Sequence, residues 1–395
     1  MNLSLNKSAW KRVALGDVAK HVTDRVDAET SGLKRFLAGE HIPSNDLAIT
    51  QWGVIGRDPI GPMFYKRFRP GHVLYVSRRS YLRKTAVPEF EGITGEKTFV
   101  LESRDESVLL QRFLPFVLSA EAFHSYAVAN SRGSVNPYIN WTELANYEFD
   151  LPSLDEQQRL AGLLWALETH RRALVSMTQA LEDAVIAKRE SELGNVPWEL
   201  TLDDVLIAIT AGKSLPGTST PATAKTRGVL KVSAVSGQGF VAQENKELVE
   251  QSAFMPEHAL ANGDLLITRA NTAAYVGRPA IVDSDYPNLM LSDKTLRLDV
   301  DEAIASTGFV YECLLSQRVR QRIADSATGT GAAMKNISQR DIRALPLPRI
   351  ATEAQERLVA EVGSIRSAAN TIRQEAETTF TLRGHLLATI FGGVE

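Results

Sequence analysis

The sequence predicts an α+β protein of two tandem repeats, each a mixed α/β globule followed by a long helix, with the two helices pairing as an antiparallel coiled coil. Three observations carry this. Four short markers recur in the same order in both halves, each series ends in a Leu-Pro element ahead of a long apolar-periodic stretch, and the two stretches keep one register.

A chain of 395 residues is long enough to bury a sizeable core and to divide into two domains. With 44% hydrophobic and 23% charged residues its composition is that of an ordinary globular protein. No apolar run reaches the roughly 18 residues of a membrane span, and "MNLSLNKSAWKR" lacks the apolar centre and cleavage site of a signal peptide, so a cytoplasmic location and no membrane partner are expected. The single cysteine, Cys313, lies beside a Leu-Leu pair and reads as a core residue, and one cysteine excludes internal disulfides and thiolate metal clusters. The seven histidines show no metal-ligand spacing. A formal charge of −3 means that any nucleic-acid face must be local.

The markers are as follows. "WKRVALGDV" (Trp10 to Val18) is echoed by "WELTLDDV" (Trp198 to Val205), and each opens a half. "RPGHVLYVSRR" (Arg69 to Arg79) is echoed by "LANGDLLITRA" (Leu260 to Ala270), a turn glycine followed by an apolar strand that runs into basic residues. "RGSVNPYINWTEL" (Arg132 to Leu144) is matched by "GTGAAMKNISQRDI" (Gly329 to Ile342). Last come "LPSLDEQQRL" (Leu151 to Leu160) and "LPRIATEAQERL" (Leu347 to Leu358). Proline cannot donate to a strand ladder and holds its predecessor extended, so Leu-Pro ends the last strand of each globule. Asp155 and Glu156, and Thr352 and Glu353, then sit where a helix N-terminus favours a cap or an acid. The expected divisions are a first globule at 1–152, a first helix at 153–195, a second globule at 196–348, and a second helix with the C-terminal tail at 349–395.

Alternating four- and three-residue spacing places Leu160, Leu164, Leu167, Arg171, Leu174, Thr178, Leu181 and Val185 on one helix face. The same spacing gives Leu358, Val362, Ile365, Ala369, Ile372, Ala376, Thr379 and Arg383 on the other. Helices of roughly 30 residues, about 45 Å, follow. A lone coiled-coil helix needs a partner, and its twin in the same chain is the nearest. The alternative is two amphipathic helices packed on their own globules.

Catalytic motifs are not legible. "AGKS" (Ala211 to Ser214) resembles the end of a phosphate loop, but the glycine required five residues before Gly212 is Ile207. "NPY" (Asn136 to Tyr138) lacks the second proline of the loop with which amino-methyltransferases grip adenine, and no glycine-rich turn for S-adenosylmethionine precedes it. Basic residues do cluster. Between Arg57 and Lys84, Arg57, Lys66, Arg67, Arg69, Arg78, Arg79, Arg83 and Lys84 accompany one acid, Asp58, and are interleaved with Tyr65, Tyr75 and Tyr81. Such a run suits an anionic partner, and guanidinium forks suit guanine edges. Arg132 and Asn136 lie in the later glycine loop of the same half. In the second half Arg269, Asn271, Tyr275, Arg278, Lys335 and Asn336 follow the equivalent strand and loop. A merely solvated face is the alternative for both runs.

The ordered set, Trp…Leu-x-Asp-Val, Gly-Asp-Leu-Leu with a trailing Arg, a glycine loop before "IN" or "IS", and Leu-Pro ahead of "EQQRL" or "AQERL", resembles the specificity subunits of type I restriction-modification systems over nearly the whole chain. The resemblance implies that each globule is a target-recognition domain reading one half of a split site in double-stranded DNA. It implies that the helices set the spacer and dock two copies of a DNA adenine methyltransferase subunit, with restriction or translocase subunits joining. Glu156, Gln157, Leu160, Leu164, Leu167, Leu174, Leu181, Gln355, Leu358, Val362, Ile365 and Ile372 are the expected docking and spacer residues. No cofactor is expected on this chain itself: S-adenosylmethionine belongs to the methyltransferase, ATP and Mg to a nuclease partner. The second copy has Ala354 before Gln355 where the first has Glu156 before Gln157, and the first has His72 where the second has Asp264. The alternatives are a recognition subunit of another restriction or modification assembly, a coiled-coil adaptor that does not touch DNA, and a self-sufficient enzyme.

Overall fold

A computed structural model describes residues 5–237, 239–329 and 334–392 of the protein; residues 330–333 of the second glycine loop and the tail at 393–395 lie outside the described residues. The chain forms two compact units, Met1–Ser176 with Ile372–Glu395, and Met177–Thr371, so each unit takes part of each long helix.

In the first unit one sheet has the strand order Ala19–His21, Thr98–Ser103, Val73–Val76, Thr85–Ala86, antiparallel throughout. A second sheet runs Gly53–Val54, Arg35–Leu37, Gly92–Gly95, Phe64–Phe68, with one parallel pair where Phe36 faces Ile93. The second unit repeats both. Its sheets run Leu206–Ala211, Thr295–Val300, Leu265–Thr268, Pro279–Ile281, and Asn245–Glu247, Gly228–Leu230, Tyr286–Met290, Ala259–Leu260, again with one parallel pair, Gly228 facing Leu289. Registers match as well: Val73 faces Leu101 as Leu265 faces Leu298. The repeat read from the sequence is therefore a repeat of topology in both four-stranded sheets, to which the second unit adds a small hairpin, Val235–Ser236 with Gly239–Phe240.

Each globule closes on itself before its helix starts. Lys11–Ala14 pairs antiparallel with Glu148–Leu151, and Leu200–Thr201 with Pro346–Leu347. The strands end just before Pro152 and Pro348, as the missing proline N–H requires. The helices are Leu154–Gly194, 41 residues, and Thr352–Phe391, 40 residues, longer than the seam spacing suggested. Among the described residues no helix is long and apolar enough to cross a membrane.

The two helices pack together and run antiparallel. In the first unit Glu168 meets Arg383 at 3.2 Å and His170 meets Glu375 at 3.1 Å; in the second Lys188 meets Glu361 at 2.6 Å. The apolar face is shared more widely than a two-helix seam. Leu160 and Leu164 are fully buried in the first globule's core, beside Phe113, Phe116 and Phe149, and Leu386, Leu387 and Ile390 join the same core. Leu358 and Val362 enter the second globule's core with Phe309, Val310 and Cys313. Periodicity states which face is buried and not what covers it, so the first turns of each helix pack on their own globule. Leu174, Ala369 and Ala376 are buried farther along, while Leu167 and Ile365 are partly covered by the cores.

Gln157 and Gln355 correct the expectation that placed them among docking residues. Both are buried, and each serves three backbone groups of its own globule. The Gln157 amide accepts from the Leu110 N–H (2.9 Å) and donates to the Val108 and Pro152 carbonyls (2.9 and 3.0 Å). The Gln355 amide accepts from the Ser306 N–H (3.0 Å) and donates to the Ile304 and Ile350 carbonyls (3.3 and 3.2 Å). A side-chain amide carries both donors and an acceptor, which is why glutamine can fasten helix to globule here.

Charged residues on the helices complete the anchorage. Glu168, wholly buried, holds Arg171 at 3.0 Å and Arg383 at 3.2 Å, and Arg171 continues to Asp46 at 2.7 Å. In the second unit Glu312 is 2% exposed and holds Arg189 at 3.3 Å and Arg366 at 2.7 Å. The arginines that interrupt the apolar spacing at 171 and 383 are thus partners of a buried acid.

Candidate nucleic-acid interface

An inner strand of each fully antiparallel sheet, Val73–Val76 and Leu265–Thr268, runs out into the rim that carries the sequence-selected side chains. In the first globule the Ser77 N–H donates to the Lys97 carbonyl and the Ser77 carbonyl accepts from the Ile139 N–H. In the second, Arg269 makes the same two bonds with Lys294 and Ile337. Next along the chain Arg78 bridges Tyr138, as Ala270 pairs with Asn336. Arg78 and Arg269 are therefore neighbours in register and not equivalents: Ser77 stands where the second copy has Arg269.

The glycine loop of the first globule closes on this rim. Arg132 and Tyr138 exchange backbone hydrogen bonds, Gly133 adopts φ +95°, and the Arg79 N–H donates to the Pro137 carbonyl at 2.6 Å. The Arg79 Nε donates to the Asn136 amide oxygen at 2.8 Å, which fixes two candidate readers against each other. Arg79 and Arg83, flanking the single turn Ser80–Leu82, both have positive φ, a strained setting for residues with a Cβ and one that recurs at functional sites. Tyr81, on that turn, is 52% exposed.

Most of the basic run does not form a free positive face. Arg57 pairs with Asp58 (3.0 Å), Arg67 with Glu91 (2.8 Å), Arg69 with Asp24 (2.7 Å), Arg83 with Glu121 (2.7 Å) and, from the loop, Arg132 with Glu143 (2.6 Å). Lys66 is a correction: its side chain is buried, the ammonium donates to the Glu96 and Thr98 carbonyls, and burial pulls its pKa down to about 8. Lys84 likewise donates inward, to the Gly39 carbonyl. Counting along the sequence found one acid, and folding supplies Asp24, Glu91 and Glu121 from elsewhere. Arg78 and Arg79 remain exposed and, among the described residues, without an acid partner.

In the second globule the loop after Arg269 is held by Arg320, absent from the sequence-based set, which donates to the Gly277 and Val276 carbonyls at 2.7 and 2.9 Å. Arg278 donates to the Gly237 carbonyl, Asn271 turns back to the Thr272 N–H, and Lys335 donates to the Gly329 carbonyl. Tyr275 is 39% exposed, and Arg269 and Asn336 are exposed at the rim. The periodicity of the Gln317–Ser326 helix, which carries Arg320, marks a buried face at Val319 and Ile323, but nothing local signals that its arginine reaches a loop 43 residues upstream.

Comparison with known proteins fits this architecture. No family model matches the chain. In sequence it is 26% identical over 159 residues to the type I restriction enzyme EcoEI specificity subunit of Escherichia coli, a stretch covering 40% of this chain and 27% of that relative; the chain thus spans about a quarter of the curated relative it matches. In structure it is similar to the type I restriction-modification S subunit from M. genitalium, with TM-score 0.64 and 13% identity over 100% of this chain and 99% of that one. It is also similar to a chain from a structure addressing complex assembly and conformational transition of the type I restriction-modification system, with TM-score 0.56 and 19% identity over 98% of both. The class defined is a tandem two-globule protein fastened along paired helices. More particularly, the fold is that of a type I specificity subunit, as the sequence motifs implied.

Proposed function

We propose that the chain is the non-catalytic sequence-specificity subunit of a type I restriction-modification complex, each globule reading one half of a bipartite site in double-stranded DNA. One observation carries this beyond the shared fold: two globules that share both four-stranded sheets present, at the same strand end, different exposed arginines and different loop residues. A scaffold held constant under a varied rim is what two readers of two different half-sites require. Arg78, Arg79 and Asn136 in the first globule, and Arg269 and Asn336 in the second, are the base-edge candidates. Tyr81 and Tyr275 stand beside them for backbone or stacking contacts.

The long helices set the distance between half-sites and dock two DNA adenine methyltransferase subunits, to which restriction or translocase subunits add. S-adenosylmethionine belongs to the methyltransferase, and ATP and Mg to the nuclease partner. The test is co-expression of the chain with a type I methyltransferase subunit, followed by genome-wide mapping of methylated adenines. A single bipartite motif is expected, and exchanging residues 1–152 for the matching domain of a relative should change one half of it. Methylation independent of the chain, or both halves changing together, would overturn the reading.

A further inference from the structure

The first globule contains a cleft of about 260 Å³, and it opens at the rim just described. Tyr65 and Tyr138 line it, each capped by a cation: the Arg25 guanidinium lies 4.7 Å from the Tyr65 ring centre and the Lys97 ammonium 4.6 Å from that of Tyr138. Phe99 and Trp141 line it too, with ring centres 6.0 Å apart. His21 packs edge-on against Phe99 at 4.9 Å, and its buried Nε2 has no hydrogen-bond partner among the described residues. Burial, with Lys66 nearby, lowers the His21 pKa to about 4, so the ring is neutral and can donate or accept one hydrogen bond.

These features narrow the occupant. Aromatic faces around a confined space suit a flat ring, and the Arg25 and Lys97 cations, the latter 3.7 Å from the Glu96 carboxylate that also lines the cleft, disfavour a cationic guest of the kind aromatic cages hold. The same cations favour a ring attached to an anion. The volume falls below the roughly 300–1,000 Å³ of ordinary small-molecule pockets, which leaves room for little more than one ring system. The cleft also adjoins the candidate readers, since Tyr138 is the residue whose backbone bridges Arg78 and Arg132. By register Phe99 corresponds to Leu296 and His21 to Ile209, while Tyr138 corresponds to Asn336, so these three lining positions carry no aromatic ring in the second copy.

We propose that this cleft holds one unstacked nucleobase with its phosphate at the cationic edge. The inference rests on the DNA-reading function above for the source of that base, which is the first half-site; a free nucleotide shares the chemistry. Taking a base out of a duplex costs less where it is mispaired, which gives the test its handle.

The full-length chain would be titrated with duplexes carrying its mapped site and a single mismatch moved along the first half. The four deoxynucleoside monophosphates would be titrated separately. One mismatch position should tighten binding about tenfold, and Tyr138→Ala should abolish that gain while Tyr138→Phe, which keeps the stacking face, retains it. Mononucleotide binding that depends on the Tyr138 ring, without a mismatch effect, would support the site and assign it to free nucleotide. Neither effect depending on Tyr138, or Tyr138→Phe losing as much as Tyr138→Ala, would overturn the cleft. Absence of DNA binding by any duplex would instead overturn the specificity-subunit reading, with the mononucleotide titration still reporting on the cleft.

Discussion

The two globules share a frame and differ in nearly everything mounted on it. At equivalent register positions the core exchanges Tyr75 for Ile267, Phe99 for Leu296 and Phe149 for Leu347, an aromatic interior against an aliphatic one. Strand order and the closing strand pair are nevertheless the same. Apolar patterning and turn placement therefore specify this topology, and side-chain shape adjusts within it. What stays chemically constant is the joint, where Gln157 and Gln355 serve corresponding backbone groups: a carbonyl and an N–H in the globule and the carbonyl five residues before each glutamine.

The buried acids should give the largest effects. Glu168→Gln strands the buried Arg383, while Arg171 keeps Asp46, and Glu312→Gln leaves the buried Arg189 only Glu190 at 3.4 Å, so each should cost about 3–5 kcal/mol in denaturant unfolding, because a poorly compensated buried charge is left behind. Comparable losses would show that the two units are anchored alike through different residues. A loss confined to one unit would show that the other anchor is incidental.

The glutamine joint comes next. Gln157→Ala and Gln355→Ala each delete three hydrogen bonds to buried backbone, worth together about 3 kcal/mol. The two values should agree closely, since the partners correspond. Disagreement by more than about 1 kcal/mol would mean that one globule redistributes these bonds and the joint is less constant than its geometry.

Much of this frame was legible in the sequence, because it rests on local chemistry. Trp-led openings, turn glycines before apolar strands, and prolines that end strands announce the repeat. The joint motif was recognisable too, but its role was misjudged: glutamine ahead of an apolar heptad reads as surface, and only the fold brings Leu110 and Ser306 onto it. The interface was less legible for the same reason. A run of cations in sequence says nothing about acids such as Asp24 and Glu121 that arrive from other strands and helices, nor that Lys66 faces inward. The cleft was invisible, since His21, Phe99 and Trp141 converge from three distant segments.

Acid should separate the globules. Burial, aided by Arg83 and Arg383, lowers the His124 pKa to about 4, and burial with Lys66 does the same at His21. An unfolded histidine titrates near 6.5, so between about pH 6.5 and 4 the unfolded state binds more protons. Stability from these groups is complete above pH 6.5 and is lost as pH falls toward 4. For buried His124 the loss by pH 4.5 is on the order of 2–3 kcal/mol. Hydrogen-exchange protection factors of Leu74–Tyr75, taken relative to the intrinsic exchange rate at each pH, should fall more between pH 7 and 5 than those of Leu266–Ile267, and His124→Gln should flatten the difference. An equal fall would place the acid sensitivity elsewhere.

At the rim, Arg78→Ala and Arg269→Ala should each lower specific DNA binding by about 1–3 kcal/mol if they reach base edges, with each change relaxing one half-site only. Because the two arginines are offset by one register position, the affected bases need not correspond between half-sites. Even loss across all sequences would assign both to phosphate, and no loss would return the rim to solvated surface.

Arg69→Ala should have the smallest effect, and it is the control that gives the other arginines meaning. Arg69 sits in the same basic run as Arg78, but its guanidinium is 2.7 Å from the Asp24 carboxylate, with side-chain exposures of 47% and 33%. Such a pair contributes about 0–1 kcal/mol to stability, and its charge is already balanced before DNA arrives. A phosphate contact releases counterions, so losing one should flatten the dependence of log affinity on log salt by about one unit. The expected result is therefore an unchanged salt slope for Arg69→Ala and a reduced one wherever a free arginine truly meets phosphate. Asp24→Asn turns the question round: it unpairs Arg69 without removing it, and should tighten non-specific binding slightly if the pairing alone keeps that arginine from DNA. A reduced slope in Arg69→Ala would show that DNA pulls Arg69 away from Asp24, and that the whole run, rather than its two unpaired members, belongs to the interface.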